Sequence, residues 1–496
     1  MIDITEHLPI LLIIVTFTSA FMMPLVGSWN KKLCNTFAII TSFILLLITL
    51  LLAKNIINYG TVRYYAGGWE PPYGIELVVD YFSIYLCIII AFISILVSIY
   101  SKHYIEKTIP KGKIVSYYTL LMILIGGMMG VAITGDIFNL FVFTEIFSIA
   151  AYSLVAIYNK KESYLASFRY FLLGSLGTSF ILLGIAKLYM LTGTLNMIDL
   201  SYRLVPWHGS FVMNSAVVFL IMGFCIKAAL FPLHTWLPDA YAFAPSSISA
   251  ILSAIVTKIG AYSIIRVFFT VFGIEFITEI MPLADILAWF SAIAILVGST
   301  FAITQTDLKK MLAYSSVAHV GYVLLGIMVG IEMSATGSIF HMLTHSVAKG
   351  CLFFCAGLII YKTGIRNINE LPSIRGKMPI TAICFSIAAL SIIGIPGTGG
   401  FISKFYLVLG MLYAEQWIFV IFILIGSVVS AAFYLKIINL MYFSSDEKKE
   451  KVKVDEVPIN MLIPTIILAV SCIILGIFPG IVLYLIEPAV ELLFGL

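Results

Sequence analysis

Four lysines, four histidines and one glutamate stand in strongly apolar surroundings, where a titratable side chain is costly and its presence implies a use. Lys227 opens the stretch KAALFPLHTWLPDAYAFAPSSISAILSAIVTK, and Lys258 closes it. Between them Pro232 and Pro238 break a helix, and His234 and Asp239 sit in the break. Further along, His341, His345 and Lys349 recur every four residues in HMLTHSVAKGCLFF and so share one helix face. His319 lies in AYSSVAHVGY, and Lys404 follows a second break around Pro396 in GIPGTGGFISK. Glu145 lies well inside an apolar run, with Asp136 at the mouth of that run. Burial depresses a lysine by roughly 3–5 pH units and a nearby carboxylate raises it again, so a lysine that gains and loses such a partner swings through neutrality. That is the chemistry of a proton-loading site. Histidine, titrating near about 6.5, suits the relay positions. The spacing does not say which lysine Glu145 serves.

These residues must be positioned by membrane-spanning helices. Of 496 residues 61% are hydrophobic and 11% charged, against about 25% charged in a soluble domain. A span needs roughly 20 apolar residues, and the pattern predicts an all-α polytopic protein of about fourteen spans. The first seven are 8–27, 33–53, 80–101, 115–134, 137–158, 166–191 and 211–229. The second seven are 245–268, 283–304, 312–330, 336–361, 378–410 (interrupted), 417–442 and 459–485. The N-terminus has no basic residue before Lys31 and so lacks the start of a cleaved signal peptide; the first run is expected to stay as a helix.

Orientation follows from the loop cations. Loops after odd-numbered spans carry eighteen lysines and arginines, from Lys31 and Lys32 through Lys309 and Lys310 to Lys448, Lys449, Lys451 and Lys453. Loops after even-numbered spans carry Lys54, Arg63 and Arg203 alone. The odd loops are therefore expected in the cytoplasm of a cell-membrane protein, with both termini outside.

The same count permits two five-span repeats, spans four to eight and nine to thirteen. An odd-numbered repeat laid end to end is inverted in the membrane. The breaks at Pro232 in span seven and Pro396 in span twelve then fall at matching places, the pattern that marks a transport site. The expected organisation is one membrane domain: helices one to three over 1–114, a first half-channel over 115–270, a second over 283–442, and a C-terminal helix over 459–485. Arg169, Lys187, Arg266 and Lys436 lie within a turn or two of span ends and are expected to snorkel. The seven cysteines form no CxxC pair and are expected to be packed thiols.

The sequence contains no P-loop, no GxGxxG fingerprint and no metal-ligand cluster in a loop. No cofactor of its own and no nucleic-acid partner is expected. Redox or ATP energy must then arrive from another subunit.

Together LFVFTEIFSIAAYSL, the Lys227–Lys258 stretch, QTDLKKMLAYSSVAHVGY, HMLTHSVAKGCLFF and GIPGTGGFISKFY cover about residues 115 to 440. In this order they resemble the antiporter-like membrane subunits shared by respiratory complex I, Mrp-type cation/proton antiporters and membrane-bound energy-converting hydrogenases. The resemblance implies fourteen helices with spans seven and twelve discontinuous. It implies Glu145 paired with Lys227, Lys258 as central relay, His345 and Lys349 as continuation, and Lys404 as terminal lysine. His319, His341, His234 and Asp239 are further candidate relays. It also implies neighbouring membrane subunits, iron–sulfur or hydrogenase subunits in a redox assembly, and H⁺ or Na⁺ as the ion moved. GGWEPPYGIELVVDYFS is similar to the D-type Mrp subunits and their hydrogenase relatives. The competing reading of another class is a membrane scaffold without transport.

Overall fold

The computed structural model of the protein describes residues 4–443 and 456–495; the candidate loop lysines Lys448, Lys449, Lys451 and Lys453 lie outside them. Among the described residues thirteen helices are long and apolar enough to cross a bilayer. Helices that close their own backbone hydrogen bonds are the form such sequences must take in lipid. The first six are α1 (Leu8–Trp29), α2 (Leu33–Tyr59), α3 (Tyr81–Thr108), α4 (Ile114–Ile133), α5 (Ile137–Val155) and α6 (Lys161–Thr192). A short α7 (Met197–Leu204) leads to the broken span, α8 (Phe211–Ala228) with α9 (Leu237–Phe243). Ser246–Phe272 is one continuous helix, made of α10 (Ser246–Ile251), a π-helical turn at Leu252–Val256, α11 (Thr257–Val267) and a second π turn. There follow α12 (Leu283–Thr304), α13 (Leu308–Met328), α14 (Glu332–Thr363), the half-helices α15 (Pro379–Ile393) and α16 (Gly399–Tyr413), α17 (Trp417–Tyr442), α18 (Ile459–Ile477) and α19 (Gly480–Phe494). Counting α15 and α16 as one interrupted span gives the expected fourteen.

Both interruptions are built by backbone geometry. Ala229 ends α8 with a left-handed φ of 57° and Gly394 ends α15 with φ 94°. A Cβ at Gly394 would also meet the Lys404 side chain at 3.0 Å, so glycine serves both the turn and the lysine's approach. Gly260 has a different role: a Cβ there would lie 2.4 Å from the Ala228 backbone nitrogen. Its absence lets α11 press against the end of α8.

Two expected boundaries are corrected. The last span does not run to 485: α18 stops at Ile477, because Pro479 lacks an N–H and disfavours helix at the residue before it. The chain then turns into α19, which packs on α3 and α14. Span ten begins at Leu308 rather than 312, capped by Asp307, so Lys309 and Lys310 belong to its first turn instead of to a loop.

A two-stranded antiparallel hairpin, β1 (Val62–Tyr65) with β2 (Glu76–Val79), covers one end of the bundle; we call this the hairpin face, and the other the lysine-rich face. Buried Glu76 accepts from Arg63 and from the Asn196 amide, each at 2.7 Å. Asn196 also accepts from the backbone of Ile198 and Asp199, capping α7. Around it Ile137 donates to Leu195 O and Met197 to Gly135 O, while Asp136 caps α5 through the Asn139 N–H at 2.7 Å.

The same bracket recurs at the other face. Leu308 donates to Arg366 O and Ile368 to Thr306 O, Asp307 caps α13 through Lys310 N–H at 3.0 Å, and Asp307 and Asn367 form the bridge that Asp136 and Asn196 form first. Five crossings separate the two, which sets them at opposite faces. Asn196→Ala removes a cap and strips a donor from a buried carboxylate, at a cost of about 1–3 kcal/mol. We expect its thermal unfolding midpoint in detergent to fall, and to fall less for Asn367→Ala, whose side chain caps one backbone N–H.

Candidate functional site

Lys227 occupies the last turn of α8, one residue before the break, and is 5% exposed. Its ammonium donates to Ser148 Oγ at 3.0 Å and to Tyr152 OH at 3.2 Å on α5. Glu145 lies one turn before Ser148 on that face and is half-buried. The ion pair implied between Glu145 and Lys227 is not formed in this structure; the Lys227 ammonium turns instead to the Ser148 and Tyr152 hydroxyls.

In the break His234 is buried, its ring near Phe231 at 5.5 Å and Tyr314 at 6.4 Å, and its Nδ1 has no hydrogen-bond partner. Asp239 is placed differently. It is 18% exposed and held between Arg169 at 2.5 Å and Lys310 at 3.1 Å.

Lys258 is 2% exposed, just past the π turn Leu252–Val256. A π turn skips helical hydrogen bonds and frees carbonyls. Here the Lys258 ammonium takes Ser253 O and the Ser346 hydroxyl takes Ala254 O. The Ser253 hydroxyl meets Ser316 at 3.0 Å. Beside Ser316, the Lys349 ammonium donates to the Ser315 hydroxyl, to Leu312 O at 2.9 Å and to Tyr434 OH at 3.2 Å.

The histidines form one cluster. His319 Nδ1 and His341 Nε2 are 2.9 Å apart, and His341 Nδ1 is 2.8 Å from Ser403 Oγ. His345 stacks on His319 at 4.8 Å with both its nitrogens unpartnered. Tyr322 lies 5.1 Å from His319 on one side, and the Lys404 ammonium lies 4.9 Å above its ring on the other. Lys404 donates to Ile392 O, Ile393 O and Ser427 Oγ at 3.0, 3.0 and 2.9 Å. The two carbonyls are those left free where α15 stops before Pro396, so the lysine caps the broken helix end. From Lys258 to Lys404 the row is buried and polar throughout.

Two cations were misjudged from the sequence. Arg266 does not snorkel: it is 6% exposed and bidentate to Asp80 at 2.6 and 2.7 Å. Its partner lies at the head of a distant span, which helix-end counting cannot pair. Lys309 is 3% exposed and donates to Ala244 O at 2.6 Å, beside the Pro245 break. By contrast Arg169 is 53% exposed at the side chain and Lys436 is exposed. The sequence reading also missed the hydroxyls of Ser148, Tyr152, Ser253, Ser315, Ser316, Tyr322, Ser403, Ser427 and Tyr434. Apolar helices carry many serines and tyrosines, and nothing in their spacing marks these.

A multi-pass membrane protein with two interrupted helices and a buried lysine–histidine row between them is an antiporter-like ion-path subunit. The family described as NADH:quinone oxidoreductase/Mrp antiporter, transmembrane, matches residues 134–430, and the chain belongs to it. It is 38% identical over 486 residues to NADH-quinone oxidoreductase subunit N of Desulforudis audaxviator, covering 96% of each chain. It is 29% identical over 442 residues to the D-type subunit of the Na⁺/H⁺ antiporter of Bacillus subtilis, covering 89% of this chain and 88% of that one. Among solved structures, a chain of the membrane-bound sulfane sulfur reductase, an archaeal respiratory membrane complex, superposes with a TM-score of 0.91 at 31% identity, over 98% of this chain and 97% of that one. The protein is thus an antiporter-like subunit of the complex I or Mrp type.

Asp239→Asn is expected to leave transport within about twofold of the unmodified protein, because it loosens only partly exposed ion pairs. Vesicle transport assays on the assembled variant check this.

Proposed function

We propose that this chain carries protons through the membrane part of a redox-driven complex, with electron transfer in partner subunits of the iron–sulfur or hydrogenase kind. The observation that carries the reading is the state of Lys227, Lys258, Lys349 and Lys404. All four are buried, and their ammonium groups are held by hydroxyls and backbone carbonyls rather than by carboxylates. A fixed structural cation in lipid is stabilised by a carboxylate. One held by neutral acceptors is suited to releasing its proton. In this reading Glu145 modulates Lys227 by its charge. Lys258 receives the proton, His319, His341, His345 and Lys349 pass it on, and Lys404 delivers it; His234 serves the entry at the Pro232 break, with Asp239 at its rim.

The redox assignment is supported by the likeness to subunits of an NADH-quinone oxidoreductase and of a respiratory membrane complex. The second reading, a subunit of an Mrp-type Na⁺(K⁺)/H⁺ antiporter, is supported by the likeness to the Bacillus subtilis antiporter chain. Hard cations prefer oxygen ligands, and the interior of this chain offers few carboxylates, which favours H⁺ over Na⁺ as the ion on this path. A scaffold without transport would have no need of four buried lysines. We further propose one membrane domain with inverted halves at 115–270 and 283–442, supported by the paired brackets at opposite faces. The lysine-rich face lies in the cytoplasm of the cell membrane and both termini lie outside, as the loop cations indicate.

Extraction of the native complex in mild detergent separates the two readings. Stoichiometric iron–sulfur or nickel–iron subunits are expected; small membrane subunits alone would establish the antiporter instead. In vesicles, Lys227→Ala and Glu145→Gln are expected to abolish ion movement with assembly intact, and normal transport in either would refute the lysine path. Lys187→Ala, a half-buried side chain near Phe219, is expected to be silent.

A further inference from the structure

Lys258, Tyr262 and Arg266 follow one another every four residues and share one face of α11. They are 2%, 0% and 6% exposed. Tyr262 OH accepts from Arg266 Nε at 3.1 Å and donates to Ala132 O at 2.7 Å. This polar row leads from the central lysine towards the hairpin face. There it meets a cavity of about 290 Å³ whose polar lining is Thr61, Arg63, Asp80, Thr134, Arg266 and Thr270. If the row were open to that cavity, a proton on Lys258 would have a direct way out through the first half of the molecule. It would bypass the histidine cluster and Lys404.

Arg266 stands at the junction. Its guanidinium binds both Asp80 oxygens, Ser83 Oγ at 2.8 Å and Tyr262 OH, and lies 5.6 and 5.4 Å from the Phe82 and Tyr262 rings. Four of its five N–H groups are thereby directed at fixed acceptors. A guanidinium does not deprotonate in a protein, so it cannot hand a proton on. It is a stationary positive charge across the end of a proton row, the device by which arginines exclude protons from other pores. We propose that the Arg266 guanidinium is a plug that seals the Lys258 row from the hairpin face and so forces protons along the histidine branch. This rests on the proton path proposed above.

The test uses the native complex in proteoliposomes, with passive proton entry under an imposed pH gradient read by an interior dye while no driving reaction runs. Arg266→Gln is expected to raise passive entry about tenfold, the change that roughly 1.4 kcal/mol off a barrier produces. Adding Tyr262→Phe or Lys258→Ala is expected to abolish the rise. Asp80→Asn keeps the guanidinium and is expected to stay as tight as the unmodified complex. A mere helix staple would leak equally from either side of the pair. Equal leaks from Asp80→Asn and Arg266→Gln, or a tight and assembled Arg266→Gln, would overturn the proposal. Should Arg266→Gln not assemble, Arg266→Lys takes its place, since an ammonium can release a proton; a leak is expected, and tightness would overturn the plug. Driven transport is measured on the same vesicles. Its absence from the unmodified complex would remove the proton path itself, a failure distinct from that of the plug.

Discussion

In the hydrocarbon layer a free carbonyl and a lone ammonium are each costly, and this protein places the two together. Lys404 sits on the carbonyls released where α15 stops. Lys258 sits on the carbonyl of a π turn, and Lys309 on the carbonyl ahead of the Pro245 break. At these three sites the freed carbonyl and the buried lysine are therefore one feature. Either alone would be costly in lipid; together each satisfies the other, and the remaining helices serve to keep water and lipid away from the contacts. The break in span twelve, with Gly394 at its turn, is a requirement of the Lys404 site.

The same constraint acts at both faces of the bundle. Opposite faces of the bundle carry the same clasp, Asp136 with Asn196 and Asp307 with Asn367. Each fixes the start of a helix that supplies hydroxyls to the row: Ser148 and Tyr152 on α5, Ser315 and Ser316 on α13. The first pair holds Lys227, and the second stands beside Lys349 and the Ser253 hydroxyl.

Much of this was legible in the sequence. The apolar runs, the Pro232 and Pro396 breaks and the four-residue spacing of His341, His345 and Lys349 are strong signals, since few other environments tolerate them. What stayed hidden depends on pairs far apart in the chain. Arg266 finds Asp80 at the head of another span, and Lys309 finds a carbonyl in the broken span. In one dimension both look like ordinary helix-end cations. The hydroxyls were hidden for another reason: a serine on an apolar helix usually bonds its own backbone, as Ser386 does with Ala382 O, and only the neighbouring helix shows which ones do more. The end of span fourteen was misread because the apolar character continues through Pro479 into α19, while the helix axis does not.

The Lys404 contacts set up a count that ties charge to hydrogen bonding. A protonated lysine has three N–H donors, and this one faces three acceptors, Ile392 O, Ile393 O and Ser427 Oγ. A neutral amine has two. It also has a lone pair, so after the proton leaves the two N–H groups can keep the two carbonyls while the Ser427 hydroxyl, which otherwise donates to Ile423 O, turns to donate to the amine. The arithmetic of donors thus makes the Ser427 hydroxyl on α17, and not the half-helix, the group whose bond would change with the charge of Lys404.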